Sequence, residues 1–228
     1  PYIDKLIISN TIILLIFYIM EELKDKGPDF SGFESFDTKG NKTLEKASRI
    51  LRKLAEAINE NNGPLGEPMI VGLHGAPGLG KSHLIDAFSQ SIQLAPGINI
   101  ARPGNTHHFF ATNSNFTGAN VIITDDLFQR AASLDDVFGK KDWDKGWYPA
   151  QKLPDFLFDL YDGKRIWIVS SNFDIKDVLK NIAQLDGQGR LTSRIEHLLA
   201  STGVLHLEGE DHRKVLAQTG TRISKLFE

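Results

Sequence analysis

Gly75-Ala76-Pro77-Gly78-Leu79-Gly80-Lys81-Ser82 is the stretch on which the fold turns. It matches the phosphate-binding pattern G-x-x-x-x-G-K-[ST]. Its flanks give the match weight. The apolar run Met69-Ile70-Val71-Gly72-Leu73 precedes it and reads as a buried strand. His83-Leu84-Ile85-Asp86-Ala87-Phe88-Ser89-Gln90 follows it and reads as the start of a helix. Strand, glycine loop and helix together make a cradle. The glycines let backbone N–H groups close around a polyphosphate without Cβ clashes. The helix N-terminus sets a partial positive charge beneath it. Lys81 is expected at the β- and γ-phosphates, and the Ser82 hydroxyl on Mg²⁺. The expected nucleotide-binding residues are Gly75, Ala76, Pro77, Gly78, Leu79, Gly80, Lys81, Ser82 and His83. A plain glycine turn is the alternative, and the fit on both sides weighs against it.

A phosphate loop of this kind needs a carboxylate near the magnesium. Asn120-Val121-Ile122-Ile123-Thr124-Asp125-Asp126-Leu127 is an apolar run ending in two acids. It reads as a buried parallel strand whose C-terminal end faces a ligand crevice. Neighbouring strand residues point to opposite faces, so the two acids are expected to divide the work. Asp125 is assigned to the metal and Asp126 to the attacking water. Helix capping is the competing role for an aspartate here. The next apolar run, from Lys164 to Asn172, ends in Ser170-Ser171-Asn172. An amide at that end can hold the water or sense the γ-phosphate without adding negative charge, or it can simply form a turn. Arg190 and Arg194 lie in Gly189-Arg190-Leu191-Thr192-Ser193-Arg194-Ile195. An arginine presented to a neighbouring subunit's γ-phosphate would stabilise the developing charge. An ordinary surface ion pair is the alternative.

The remaining chain supports one α/β body with appendages. A length of 228 residues is enough to bury a full core. The net charge of −3 gives no global basic field for nucleic acid, which leaves only local patches. Cysteine is absent, so disulfides and thiolate metal sites are excluded. Leu44, Ala47, Ile50, Leu51, Leu54, Ala57 and Ile58 recur at helical spacing and stop near Asn61-Asn62-Gly63-Pro64. Ile98–Ala101 reads as a short strand. Residues 102–118 read as a polar loop carrying His107 and His108, a weak metal pair because adjacent side chains diverge. Residues 127–151 hold Trp143 and Trp147 among lysines, suited to anchoring a loop or, as the second choice, to stacking on bases. Pro154 is expected to begin a helix that stops at Asp162-Gly163. Helices are expected over 177–183 and 191–200, a strand over 203–208, and a short helix at the end.

The N-terminus is the odd part. Ile12–Met20 is wholly apolar, and Leu6-Ile7-Ile8 extends it. A membrane span needs about 20 apolar residues, and this run is shorter. A helix packed on the body or on another subunit is the first expectation. Membrane contact through residues 1–29 is the second, and processing sequence the third, since the chain starts at Pro1.

From about Phe30 to Lys214 the order of motifs resembles the AAA+ ATPases. It is most similar to the bacterial replication-initiator and helicase-loader branch of DnaA, DnaC and IstB type. Phe33-Glu34-Ser35-Phe36-Asp37 with Asn41 resembles that branch's opening segment, and Gly78–Leu84 its phosphate loop. Ile123–Leu127 looks like its Walker B strand, Ser170–Asn172 like sensor 1, and Arg190–Ile195 like its arginine-finger segment. The resemblance implies a three-layer P-loop NTPase core with a five-stranded parallel sheet in the order 5-1-4-3-2. It implies residues 1–29 as an apolar helix and linker, 30–208 as the nucleotide-binding core, and 209–228 as a short helical tail. So short a tail leaves the helical lid much reduced or absent. Asp126, Asn172, Arg194 and, in reserve, Arg190 become the expected hydrolysis residues, with Ser82 and Asp125 on the metal. The implied function is a cytoplasmic ATPase, with ATP and Mg²⁺ bound, that switches through assembly into a homo-oligomer. Its implied partner is a protein such as a helicase, with single-stranded DNA as a further one. ATP over GTP follows from the resemblance, and no Asn-Lys-x-Asp tetrad argues for guanine. Superfamily-three viral helicases share the loop, the Asp-Asp strand and the Asn-ending strand, and some have membrane-binding N-termini. A membrane-tethered nucleotide-binding adaptor with little turnover is the third expectation.

Overall fold

The computed structural model describes residues 29–35, 38, 40–61, 63–93, 97–102, 116, 118–129, 131–138, 149–186, 188–201, 203–209 and 211. The apolar run before residue 21, Phe36-Asp37, His107-His108, the tryptophan–lysine loop and the tail beyond 211 lie outside them. No helix of the described residues is long and apolar enough to cross a membrane.

Five strands form one parallel sheet: β1 Met69–His74, β2 Ile100–Ala101, β3 Val121–Leu127, β4 Ile166–Ser171 and β5 Val204–His206. Their order across the sheet is β2-β3-β4-β1-β5, the one expected for an AAA+ core. β4 lies between β3 and β1, with Ile166 level with both Val121 and Met69. That pairing brings the C-terminal ends of β1, β3 and β4 to one edge, where open α/β sheets bind ligands.

Adjacent strand residues serve opposite faces. Val71, Ile123 and Ile168 join one apolar layer. Ile70, Ile122 and Trp167 join the other. Helices α1 Ser31–Glu34, α2 Lys42–Glu60 and α3 Lys81–Ile92 contribute Phe33, Leu51 and Phe88 to the first layer. Helices α5 Pro149–Asp162, α6 Ile175–Leu185 and α7 Arg190–Ser201 cover the second, with Leu157, Val178 and Leu198. A short helix, α4 Leu134–Phe138, adds Val137 to it. Each such fully buried side chain is worth about 1.5–3 kcal/mol relative to exposure. This is the three-layer arrangement expected from the sequence.

Local chemistry fixes the helix ends. Asn41 caps α2 by accepting the Leu44 N–H, and Asp174 caps α6 by accepting the Lys176 N–H. One boundary differs from expectation. α5 starts at Pro149, and Pro154 lies inside it. Proline suits the first helical position because its missing N–H is unpaired there anyway. Pro154 is carried five residues further in, at the loss of one backbone bond.

Candidate functional site

The phosphate loop spans the gap between β1 and α3. Gly75 and Gly78 have φ of 146° and 82°, which L side chains rarely adopt. A Cβ on Gly75 would collide with the Leu207 carbonyl oxygen, and one on Gly78 with the Asp211 carboxylate. The segment after β5 therefore runs directly against the loop; backbone blocks a side chain at Gly75, and the positive φ favours glycine at both places. Gly80 is the N-cap of α3, so the helix begins at Lys81 with its N–H groups toward the loop.

Lys81 is 5% exposed. Its ammonium donates to the carbonyls of Gly75 and Ala76 at 2.7 and 2.9 Å, and to Asn172 Oδ1 at 3.1 Å. The loop lysine and the amide that follows β4, predicted separately from two motifs, are thus in direct contact. His83 faces elsewhere: its Nε2 is 3.0 Å from the Gly32 carbonyl. That contact ties α1 to α3, where a Cβ on Gly32 would come within 3.0 Å of Ala87.

The acidic pair sits at the end of β3, next to β4. The register is regular to Thr124↔Val169 and resumes at Leu127↔Ser171, so β3 holds one extra residue. This is a bulge, rare between parallel strands. Asp126 has φ of 52° there. Simple alternation therefore does not govern positions 125 and 126, contrary to the reasoning used to divide their roles. Ser170 Oγ donates to Asp125 Oδ1 at 2.5 Å and accepts the Asp126 N–H at 2.8 Å. Gln129 Nε2 donates to Asp126 Oδ2 at 3.4 Å. Through β4, the chain of contacts runs from Lys81 to Asn172 and from Ser170 to the acids.

Arg190 and Arg194 occupy α7 and make their contacts with α5 and with Asp186, the C-cap of α6. The Arg194 guanidinium lies 4.7 Å from the Phe158 ring centre and 5.4 Å from that of Tyr161. Its Nη2 is 3.3 Å from Asp162 Oδ1. Its Nε is buried with no hydrogen-bond partner among the described residues. Arg190 is more exposed, over Phe158 at 5.2 Å and 3.8 Å from Asp186. Asp186 accepts the Leu191 N–H at 2.8 Å, and that bond chiefly holds its carboxyl below the usual range.

Two features were not read from the sequence. Ser170 was quoted only as part of a motif, and no local pattern marks it as the partner of the acids. His74 and His206, at the ends of β1 and β5, stack with ring centres 4.6 Å apart. Burial pushes the His74 pKa down, opposed by Asp174, whose Oδ2 is 3.9 Å from Nε2. The sign that could have found this pair is a histidine ending each of two parallel strands.

The residues present suit Mg²⁺ with a triphosphate. The cradle admits no Cβ at Gly75, a buried ammonium reaches its carbonyls, and an oxygen-only acidic pair suits a hard cation.

No family model matches the chain, and no curated protein matches it. Solved structures do. The structure of DnaI is similar at 17% identity, over 78% of this chain and 88% of that one, with a TM-score of 0.49. Domain III of the Thermotoga maritima replication initiation protein DnaA is 16% identical, over 86% and 78%, with a TM-score of 0.47. The DnaC helicase loader is 16% identical, over 82% and 96%, with a TM-score of 0.45.

Proposed function

We propose that this chain is an ATP-binding and slowly ATP-hydrolysing assembly factor, switched by nucleotide through self-association. The observation that carries the reading is the bond from Lys81 to Asn172. It joins the phosphate loop to the strand whose Ser170 holds Asp125. In this reading the loop N–H groups from Gly78 to His83 bind the phosphates. Lys81 offsets charge on the β- and γ-oxygens, a role its buried position makes stronger than in water. Ser82 and Asp125 hold the magnesium. When bound, the metal neutralises charge on the phosphoryl oxygens. Asp126 takes a proton from the attacking water as the bond to the leaving oxygen of ADP breaks, and Asn172 orients that water.

Arg194 acts on a second copy's site, with Arg190 beside it. A finger supplied in trans makes turnover depend on assembly. The partner is a replication or other nucleoprotein assembly, such as a helicase. That partner and single-stranded DNA rest on the motif resemblance alone.

Titration calorimetry with Mg²⁺–ATP, followed by mass measurement in solution with a slowly hydrolysed analogue, tests this. Binding and nucleotide-dependent growth in mass are expected, with single-stranded DNA as an added arm. No heat with Mg²⁺–ATP overturns the reading.

A further inference from the structure

Ser170 is fully buried at the end of β4. Its single hydroxyl makes two bonds of opposite sense. A serine hydroxyl has one proton to give and lone pairs to accept with. The proton goes to Asp125 Oδ1, and a lone pair takes the Asp126 N–H. Both partners lie in the bulge of β3. The bulge removes the Asp126 N–H from the strand ladder, and a buried N–H needs another acceptor. The bond to Asp125 is short and charge-assisted, the stronger kind of hydrogen bond.

We propose that Ser170 is a positioning residue for the acidic pair. It fixes the Asp125 carboxylate through one oxygen and leaves Oδ2 to the cation. Through the Asp126 N–H it also holds the backbone conformation that aims the second acid. This role rests on the reading of Asp125 as the Mg²⁺ ligand given above.

Ser171 is the built-in control. It is equally buried, and its hydroxyl also bridges β4 and β3, donating to the Leu127 carbonyl at 2.9 Å. It accepts the Phe173 N–H at 3.1 Å. Its bonds support the same strand junction without involving either acid.

The test uses the full chain with Ser170→Ala, Ser170→Cys, Ser170→Thr, Ser171→Ala and Asp125→Asn. ATP hydrolysis is followed against Mg²⁺ concentration at saturating ATP, alongside affinity for ATP in EDTA and the thermal midpoint. Loss of a side chain that orients a metal ligand typically costs 10–100-fold in metal affinity. Ser170→Ala and Ser170→Cys are therefore expected to raise the Mg²⁺ needed for half-maximal rate about tenfold or more. Affinity for metal-free ATP should stay within about twofold, because the phosphate loop is untouched. Ser170→Thr keeps the hydroxyl and should recover most of the metal response. Ser171→Ala should lower the thermal midpoint and leave the metal response alone. Cysteine matches serine closely in size, so its variant reports even if alanine prevents folding. A wild-type Mg²⁺ curve in Ser170→Cys overturns the proposal, as does an equal shift in Ser171→Ala. If Asp125→Asn also keeps a wild-type curve, or the wild type shows no Mg²⁺-dependent turnover, the site reading itself falls.

Discussion

The ammonium of Lys81 donates to the side-chain oxygen of Asn172, at 3.1 Å, across 91 residues of sequence. The same ammonium holds two carbonyls of its own loop. These three acceptors match its three protons, so in the proposed reading an arriving phosphate displaces at least one of them. In the proposed reading Asn172, as one of those acceptors, is placed to respond to which partner the ammonium holds. Lys81→Ala is expected to abolish measurable Mg²⁺–ATP binding in calorimetry. Asn172→Ala should keep KM within about threefold while lowering kcat about 10²–10³-fold, as for loss of one oriented polar group. Equal losses in binding for the two variants would contradict the division of roles.

Arg194 rests against α5, and its rest position is incompletely satisfied. A guanidinium offers five N–H donors. Here one lies 3.3 Å from Asp162, and the buried Nε has no partner among the described residues. A neighbour's phosphate would give it better partners. Arg194→Ala is expected to lower turnover of the assembled protein about 10³-fold. It should cost the single chain about 1–2 kcal/mol in urea unfolding, the scale of a partly desolvated cation–π contact. Turnover unchanged at concentrations where assembly is complete would rule out the trans role.

Gly72 in β1 faces Ile175 at the start of α6. A Cβ placed there would lie 2.9 Å from Ile175 Cγ1 and 3.0 Å from its Cβ. Gly72→Ala should therefore destabilise the chain by about 1–3 kcal/mol in urea unfolding. Combining it with Ile175→Ala should recover only part, since both γ-carbons are removed but the Ile175 Cβ position, 3.0 Å away, remains. Full additivity of the two substitutions would mean that they do not share this contact.

His74 gives a pH signature. Burial lowers its pKa from 6.5, with His206 and Lys176 acting in the same direction and Asp174 and Asp177 against it. The unfolded chain then binds the proton more readily than the folded one. Stability from this group is present above about pH 6.5 and is lost as pH falls through the lower folded value. The slope cannot exceed about 1.4 kcal/mol per pH unit for one proton. His74→Gln should flatten the fall in thermal midpoint between about pH 6.5 and 5. An unchanged slope would assign that fall to other groups.

Much of this was legible because the signals are local. The phosphate loop needs only eight consecutive residues and their flanks. Paired residues such as Ile122 and Ile123 reveal a strand buried on both faces. Strand order came from resemblance, since no periodicity says which strand lies beside which. The bulge at Asp125–Asp126 was not legible, because its partner, Ser170, comes 45 residues later on another strand. The arginine contacts escaped for the same reason: Asp162 precedes Arg194 by 32 residues. Pro154 misled because proline commonly opens a helix, and Pro149 already filled that role.

The strap after β5 has a consequence for synthesis. Glu208 bonds to Asn41 and Thr43 at the cap of α2, while Leu207 and Asp211 lie against the glycines of the loop. β1 likewise has no strand neighbour until β4 and β5 arrive. A ribosome-bound chain halted before residue 204 would carry the complete motif yet lack the wall that shapes it. The wall of the proposed nucleotide site is therefore completed only once β5 and the residues just after it have been made.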